Sequence, residues 1–151
     1  MAKKSNLILP EFEPVTYDPQ YILMVNQLRK YFPIKDGMLA KTVGHVKAVD
    51  GVTFNLKRGT TMGLVGESGC GKSVTSLSLM QLVQRPQGQT VEGEIRFDSG
   101  EKVYNIVETP TEVMQSIRGG KISMIFQEPM TSLNPVFRIG DQLNEVFELH
   151  E

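Results

Sequence analysis

Apolar and polar residues follow each other along this chain in patterns that predict a mixture of strands and helices. Residues 21–32 mix apolar with polar side chains as a partly exposed strand does, and residues 47–56 indicate a second strand. Between them, residues 33–46 contain Gly37 and Gly44 and show no periodicity. We therefore predict a long hairpin loop that connects the two strands.

The middle of the chain predicts a strand that is followed closely by a helix. Residues 60–65 are short, apolar and followed by a glycine, as a buried parallel strand would be. Residues 74–83 then place four apolar side chains on one arc of a helix: Val74, Leu77, Met80 and Val83. The eight residues between the two predicted elements form their joint.

The two ends of the chain differ in regularity. Residues 1–20 carry three prolines among polar groups and are expected to form an irregular arm, because proline lacks the backbone donor that helices and central strands need. Residues 91–97 alternate as a half-exposed strand does, and residues 121–127 supply apolar side chains for a more buried strand. Helices are expected over residues 111–117 and 139–151.

Composition and charge narrow the possible functions. The 151 residues, 40% of them hydrophobic, suffice for one globular domain with a core. Sixteen basic and seventeen acidic residues give a net charge of −1 without a block of either sign, so nothing indicates a nucleic-acid partner. The single cysteine favours a reducing compartment such as the cytosol and offers no structural zinc site.

Neither a secretion signal nor a membrane span is predicted. The N-terminal apolar run is stopped by Pro10, and no apolar stretch approaches the ~18 to 20 residues that cross a bilayer. Any role at a membrane is therefore expected to depend on a partner.

The octapeptide GESGCGKS at residues 66–73 contains the clearest chemistry in the chain. It matches the pattern G-x-x-x-x-G-K-[ST] between a predicted strand and a predicted helix, which is the context that gives the pattern meaning. Gly66, Gly69 and Gly71 allow backbone conformations in which successive N–H groups converge on phosphate oxygens. The start of the following helix adds unpaired N–H groups and its dipole. A glycine-rich turn that precedes Lys-Ser by chance is the alternative, and phosphate binding is the better interpretation.

Three side chains of this loop have distinct expected roles. Lys72 is expected to reach the β and γ phosphates as a point charge, and the Ser73 hydroxyl is expected to ligate Mg²⁺. Cys70 occupies a variable position of the loop and has no neighbouring histidine in sequence. We interpret it as structural rather than as a nucleophile.

A phosphate-binding loop alone leaves GTPases, small-molecule kinases, motor ATPases and transporter ATPases open. The chain contains no N-K-x-D guanine signature and no arginine-rich lid segment, which weighs against the first two classes. Positive signals come from three stretches: ISMIFQEPMTSLNP at residues 122–135, VKAVDGVTFNLKRG at residues 46–59 and GLVGESGCGKS at residues 63–73. Together they resemble the nucleotide-binding subunits of ABC transporters, and more narrowly the oligopeptide/dipeptide importer ATPases of bacteria and archaea.

This resemblance runs from about residue 21 to residue 151 and implies a fold. The implied fold is α/β, a P-loop NTPase (RecA-like) core with an antiparallel β subdomain, truncated before the helical subdomain is complete. It divides the chain into an irregular N-terminal arm, residues 1–20, and a partial ABC nucleotide-binding domain, residues 21–151. That domain would run from the P-loop through the Q-loop to the start of the helical subdomain.

The resemblance also implies roles for residues outside the loop. Phe32 falls at the position of the aromatic that stacks on adenine, with Tyr31 as the second candidate and a core aromatic as the alternative interpretation. Gln127 matches the Q-loop glutamine, whose side-chain oxygen meets Mg²⁺ or the attacking water; a surface glutamine is the alternative. Lys72 and Gln127 are thus the expected catalytic residues, and Ser73 and Gln127 the expected metal ligands.

The nucleotide is expected to be ATP with Mg²⁺, and the implied contacts are Phe32, Gly66, Glu67, Ser68, Gly69, Cys70, Gly71, Lys72, Ser73 and Val74. The implied partners are transmembrane permease subunits, which residues 128–134 would face, and a second ATP-binding subunit. No nucleic acid and no direct membrane insertion are expected. The chain would lie at the cytoplasmic face of the cell membrane and couple ATP binding and hydrolysis to peptide import.

Other motifs of the family are not found in these 151 residues: the LSGGQ-type signature, the strand ending in Asp-Glu and the switch histidine. We interpret Asp98 as a strand-end turn residue and His45 and His150 as surface residues. We therefore expect the N-terminal part of an ATPase subunit, with weak nucleotide binding and negligible turnover on its own. Two alternatives stay open: a non-hydrolytic nucleotide-binding fragment, and a soluble ABC ATPase not linked to transport.

Overall fold

A computed structural model of the chain describes residues 11–37, 41–83, 89–126 and 133–150. The chain divides into two compact units, residues 1–109 and residues 110–151. The described part of the first unit contains β1 (Tyr21–Asp36), β2 (Lys41–Lys57), α1 (Lys72–Leu79), β3 (Gln89–Asp98) and β4 (Val103–Asn105). The described part of the second contains α2 (Thr111–Ile117) and α3 (Ile139–His150).

The first unit is built on an antiparallel sheet with the strand order β2-β1-β3-β4. The strands predicted over residues 21–32, 47–56 and 91–97 are confirmed, and so is an α/β composition with an antiparallel sheet. Buried side chains of β1 and β3 supply much of the core, which includes these residues: Leu23, Met24, Val25, Leu28, Tyr31, Ile95 and Phe97.

The long loop predicted over residues 33–46 is wrong, because β1 and β2 continue through it. Phe32 pairs with Val46 and Pro33 with His45, and the strands separate only after Asp36. Pro33 is tolerated because β3 pairs with β1 no further than Tyr31. Beyond that point the other edge of β1 has no strand neighbour among the described residues, so no ladder needs the missing N–H.

A bulge in β1 explains one glycine of β3. Gln27 has a left-handed φ of 46°, and the registers with both neighbouring strands shift around it. Gly93 faces this bulge with a φ of 100°, and a Cβ there would lie 2.6 Å from the Cα of Leu28. No other residue type fits this position without moving the bulged backbone.

The irregular arm is tied to the sheet by hydrogen bonds. Residues 11–18 form neither helix nor strand. The backbone N–H of Val15 donates to Glu94 Oε1 at 2.8 Å, and the side-chain amide of Asn26 donates to the carbonyl of Glu13 at 2.9 Å. Asn26 and Glu94 are both buried, so the arm supplies hydrogen-bond partners to buried polar groups of the sheet, in addition to the bond that Arg96 donates to Glu94.

Helix α1 is shorter than predicted and buries different residues. It ends at Leu79, and its buried members are Thr75 and Ser78. Both hydroxyls donate to the carbonyl four residues earlier, at 2.9 and 2.7 Å, so the buried polar groups are satisfied within the helix. Met80, which follows the last helical residue, is buried as the predicted apolar arc requires.

Two strands predicted from apolar composition are not formed in the described residues. Residues 60–65 have no strand assignment and Val65 is 90% exposed. Residues 121–126 contain only an isolated bridge at Ile122, and Ile125 is 94% exposed. A buried parallel strand is stabilised by neighbours on both sides, and no described strand pairs with either segment.

The second unit confirms both predicted helices. Met114 and Ile117 of α2 are buried. Helix α3 instead exposes four large apolar side chains, which are Ile139, Leu143, Val146 and Phe147. Within the described residues no helix is both long enough and apolar enough to cross a bilayer.

Candidate phosphate-binding site

The loop before α1 contains two glycines in the left-handed conformation. Gly69 has a φ of 81° and Gly71, the N-cap of α1, a φ of 89°. The N–H of Cys70 donates to the carbonyl of Glu67 at 3.3 Å and closes a turn inside the loop. Residues 61–70 are all exposed, so the loop is open to a ligand along its length.

The three loop glycines are required for different reasons. A Cβ on Gly71 would overlap the carbonyl oxygen of Ala48 in β2, and a Cβ on Gly66 would lie 2.6 Å from Cys70 Sγ. A Cβ on Gly69 would meet nothing within 4 Å, so only its φ demands glycine. The loop is thus seated on β2 at Gly71 and open at Gly69.

Lys72 folds back onto the loop that precedes it. Its Nζ donates to the carbonyls of Gly66 and Glu67, both at 2.7 Å, and lies 3.5 Å from Cys70 Sγ. An ammonium group that is hydrogen-bonded to neutral loop carbonyls can exchange them for phosphate oxygens, because phosphate oxygens accept stronger, charge-assisted hydrogen bonds. The position fits the phosphate contact that the sequence predicts for this lysine.

The N-terminus of α1 offers donors in the same place. No side chain caps the helix and its first turn contains no acidic residue. Ser73 is exposed, whereas Thr75 uses both its N–H and its hydroxyl on the carbonyl of Gly71. Uncapped N–H groups and the positive end of the helix dipole favour an anion here.

No group of three or more His, Cys, Asp and Glu side chains could hold a metal ion in the part of the chain that the structure describes. Magnesium commonly binds through one or two protein groups together with phosphates and waters, so the exposed Ser73 hydroxyl could supply one such ligand. Gln127, the other expected ligand, lies outside the described residues.

The two candidate base-stacking aromatics have opposite environments. Tyr31 is 1% exposed, its hydroxyl donates to Asp50, and Lys47 Nζ lies 5.4 Å from the centre of its ring. Phe32 faces the other side of the ladder and is partly exposed beside Val46. Of the two, Phe32 is the more exposed side chain.

The polar contacts around Tyr31 shift the pKa values of Tyr31 and Asp50. Burial, and then the hydrogen bond to Asp50, raises the pKa of Tyr31. That hydrogen bond, followed by the one from Lys47, holds the pKa of Asp50 below its ordinary value. Sequence reasoning missed this cluster because Tyr31 and Asp50 meet only through the strand register, and no local pattern encodes that register.

Asp98 ends β3 as the predicted turn residue, and this interpretation is confirmed. Its Oδ1 accepts a hydrogen bond from the N–H of Gly100 at 2.7 Å, and Oδ2 accepts one from the hydroxyl of Tyr17 at 2.5 Å. Arg58 forms an ion pair with the same carboxylate. Asp98 is therefore committed to structural contacts.

Comparison with known proteins agrees with this geometry. The profile described as ABC transporter matches residues 49–149, so the chain belongs to the ABC transporter family. The expectation drawn from residues 46–59, 63–73 and 122–135 is thus confirmed, and the family implies a nucleotide-binding domain of the P-loop NTPase class.

Within that family the chain is similar to three proteins of Bacillus subtilis. It is 45% identical over 130 residues to the oligopeptide transport ATP-binding protein AppD, covering 86% of this chain and 36% of the relative. It is 47% identical over 108 residues to the oligopeptide transport ATP-binding protein OppD (72% and 29%). It is 47% identical over 108 residues to the dipeptide transport ATP-binding protein DppD (72% and 31%). The chain spans about a third of the length of these relatives.

Proposed function

We propose that this chain is the nucleotide-binding part of a peptide-importer ATPase and that it binds the phosphates of Mg-ATP with the loop before α1. The proposal rests on two features that meet at this loop. Lys72 Nζ donates hydrogen bonds of 2.7 Å to two loop carbonyls, and α1 begins at Lys72 without a side-chain cap. Two left-handed glycines shape the same loop. This arrangement favours a polyphosphate over a single carboxylate, because a lysine ammonium, an exposed serine hydroxyl and uncapped helix N–H groups follow one another along the chain.

Each residue of the loop then has a role. Lys72 binds the β and γ phosphates, and Ser73 offers its hydroxyl to Mg²⁺. Backbone N–H groups of the remaining members contact the phosphates: Gly66, Glu67, Ser68, Gly69, Cys70, Gly71 and Val74. The ion, when bound, neutralises phosphate charge.

Two further roles complete the proposal. Phe32 stacks on the adenine, which its partial exposure beside Val46 supports. Gln127 orients the attacking water or contacts the metal, as the family resemblance implies.

Transport of peptides is supported by what the relatives are named for, oligopeptide and dipeptide transport, and this favours an importer over a soluble ABC ATPase. Accordingly, the partners are permease subunits and a second ATP-binding subunit, and the chain lies at the cytoplasmic face of the membrane. The nucleotide-binding domain spans residues 21–151, with a RecA-like core and the beginning of a helical subdomain, and residues 1–20 form its arm.

Titration calorimetry with Mg-ATP tests the site. The wild-type chain is expected to bind, and Lys72→Met is expected to lose about ten- to a hundredfold in affinity, the range for a lost charge-assisted hydrogen bond. Lys57→Met is the matched control, since Lys57 is an exposed lysine at the end of β2. Absence of wild-type binding at millimolar Mg-ATP, or equal affinity of Lys72→Met, would contradict the proposal.

A further inference from the structure

Tyr31, Lys47 and Asp50 form a closed group that we name the Tyr31 cluster. The Tyr31 hydroxyl donates to Asp50 Oδ1, Lys47 Nζ donates to Asp50 Oδ2 at 3.1 Å, and the same Nζ lies 5.4 Å from the Tyr31 ring. Each member thus contacts the other two. Because Tyr31 belongs to β1 and the other two belong to β2, the cluster joins the two strands through side chains as well as through the ladder.

Arg29 of β1 links the cluster to a third strand, β3. Arg29 Nε lies 3.5 Å from Asp50 Oδ1, and the guanidinium also forms an ion pair with Glu92 of β3. The Arg29 side chain is 91% buried, since 9% of it is exposed. Asp50 is therefore held by groups from β1 and β2 and, through Arg29, is linked to β3.

The backbone between Lys47 and Asp50 is the seat of the phosphate-binding loop. A Cβ on Gly71 would overlap the Ala48 carbonyl oxygen and lie 3.5 Å from Val49 Cγ2. Gly71 thus lies closer to β2 than any residue with a Cβ could lie. A displacement of Ala48 would move Gly71, and with it the first turn of α1.

We propose that the Tyr31 cluster positions the phosphate-binding loop by fixing the β2 backbone at Ala48, on which Gly71 rests. Tyr31, Lys47 and Asp50 are positioning residues and do not touch the nucleotide. The inference rests on the proposed function for its consequence in nucleotide affinity, whereas its structural part concerns the loop alone. A misplacement of about 1 Å in such a site is enough to cost a large factor in binding or rate.

A second tyrosine supplies a matched control. Tyr17 donates its hydroxyl to Asp98, which is also paired with a cation, Arg58. The chemistry lost in Tyr17→Phe and Tyr31→Phe is therefore the same, a hydroxyl on a paired carboxylate. The Tyr17 hydroxyl contacts the carbonyl of Tyr21 at the start of β1, Asp98 at the end of β3 and Arg58 directly after β2, and these contacts do not involve the loop at residues 66–73.

The reactivity of the Cys70 thiol measures the conformation of the loop, and this measurement needs no nucleotide. It is the single cysteine of the sequence, it is exposed, and it lies one residue before Gly71. We expect Tyr31→Phe to change the reaction rate of Cys70 with a disulfide reagent by about three- to tenfold, the factor that corresponds to one lost hydrogen bond. Tyr17→Phe is expected to leave the rate unchanged. Equal rates in the two variants would overturn the proposal.

Affinity gives the second readout. Because the cluster acts on the phosphate-binding loop and not on the base, Tyr31→Phe should weaken Mg-ATP and Mg-tripolyphosphate by the same factor. Loss of affinity for Mg-ATP alone would place the effect on the base and overturn the proposal. Lys47→Met, at a side chain that is 55% exposed, provides a variant that keeps the core intact and should shift both measurements in the same direction.

The two proposals fail in different ways. A wild-type chain that binds neither Mg-ATP nor Mg-tripolyphosphate contradicts the proposed function, and the Cys70 rates still decide whether the cluster positions the loop. A wild-type chain that binds, with Tyr31→Phe and Tyr17→Phe alike in Cys70 rate and in affinity, contradicts only the positioning role.

Discussion

Single residues of the phosphate-binding loop are constrained by conformation, by space or by both. Gly69 and Gly71 share a left-handed φ, but only Gly71 is pressed against another strand, at the carbonyl of Ala48. The motif makes both positions look alike in sequence. In the structure, Gly69 is constrained only by its left-handed φ, whereas Gly71 is constrained by its φ and also by its contact with Ala48. Substitutions at the two positions can measure this difference.

Alanine substitution at the two glycines should have unequal costs. Gly69→Ala is expected to lower the free energy of unfolding by about 1–2 kcal/mol, the penalty for a left-handed residue with a Cβ. Gly71→Ala should cost more, by about a further 1–3 kcal/mol, because the new methyl meets the backbone of β2. Urea denaturation of both variants measures this difference. Equal costs would show that the contact with Ala48 does not constrain the loop.

The carboxylate of Asp98 should make stability depend on pH. The hydrogen bond from Tyr17, then that from the Gly100 N–H, holds the pKa of Asp98 below its ordinary value of about 3.9. The unfolded state therefore binds the proton first, and the stabilisation by Asp98 is present above that value and lost as the pH falls through the lower, folded pKa.

Asp98→Asn should accordingly be less stable than wild type at pH 7, with a difference that shrinks below about pH 4. Urea unfolding of both proteins at pH 7, 5, 4 and 3 would show this convergence. A difference that stays constant across this range would mean that the carboxylate charge contributes nothing.

At the scale of elements, local patterns correctly predicted the antiparallel strands and the helices, but they also predicted strands over residues 60–65 and 121–127 that are not formed in the described residues. Residues 21–32 mix apolar and polar side chains and residues 91–97 alternate them, and both segments form strands within β1 and β3 because each carries its own pattern. Residues 60–65 are apolar without alternation, and such a run becomes a strand only where neighbours pair with it. Gly37, Gly44 and the lack of periodicity suggested a loop over residues 33–46, yet β1 and β2 pair through it, and the edge of β1 without a described strand neighbour beyond Tyr31 accommodates Pro33.

The end of α1 shows another element that sequence patterns did not predict. Gln81 has a left-handed φ of 50°, and the N–H groups of Gln81 and Leu82 donate to the carbonyls of Ser78 and Leu77. This is a Schellman ending with glutamine where glycine is usual. The Gln81 side chain explains the exception, because its amide donates to the carbonyls of Ile106 and Thr109.

Gln81→Ala should therefore be more harmful than Gln81→Gly. Both variants lose the two side-chain hydrogen bonds, worth about 1 kcal/mol each, but alanine also keeps the left-handed strain that glycine relieves at about 1 kcal/mol. Thermal unfolding followed by circular dichroism ranks the variants. If Gln81→Ala proved as stable as wild type, the amide would not be holding the helix end.

At the scale of the whole molecule, the two units differ in what they bury. Ten of the twelve hydrophobic side chains buried among the described residues lie before residue 110, and Met114 and Ile117 are the other two. The large exposed apolar side chains are concentrated instead after residue 124, where Val136 and Phe137 join those of α3.

The candidate site was predictable to the extent that it is local. The octapeptide specified the glycines, Lys72 and Ser73, because a phosphate-binding loop is built from consecutive residues. The seat on Ala48 and the Tyr31 cluster were not predictable, since they depend on how β1 pairs with β2 and on where the loop lies against β2.

A fragment that ends at Thr109 should fold by itself. It retains the four described strands of the sheet, α1 and most of the apolar side chains that are buried among the described residues. We expect a cooperative thermal transition, a β-rich circular dichroism spectrum and weaker binding of a hydrophobic dye than in the full chain, because the exposed apolar residues of α3 are removed. A non-cooperative melt of the fragment would show that residues 110–151 are needed to complete the core.

The bonding of Lys72 alters how substitutions at this residue should be understood. Its ammonium group ties the two ends of the loop together by donating to the carbonyls of Gly66 and Glu67. A neutral replacement removes both the charge that attracts phosphate and this internal tie. Part of any affinity lost would then be the free energy needed to restore the loop's shape, and an excess of ligand would recover that shape.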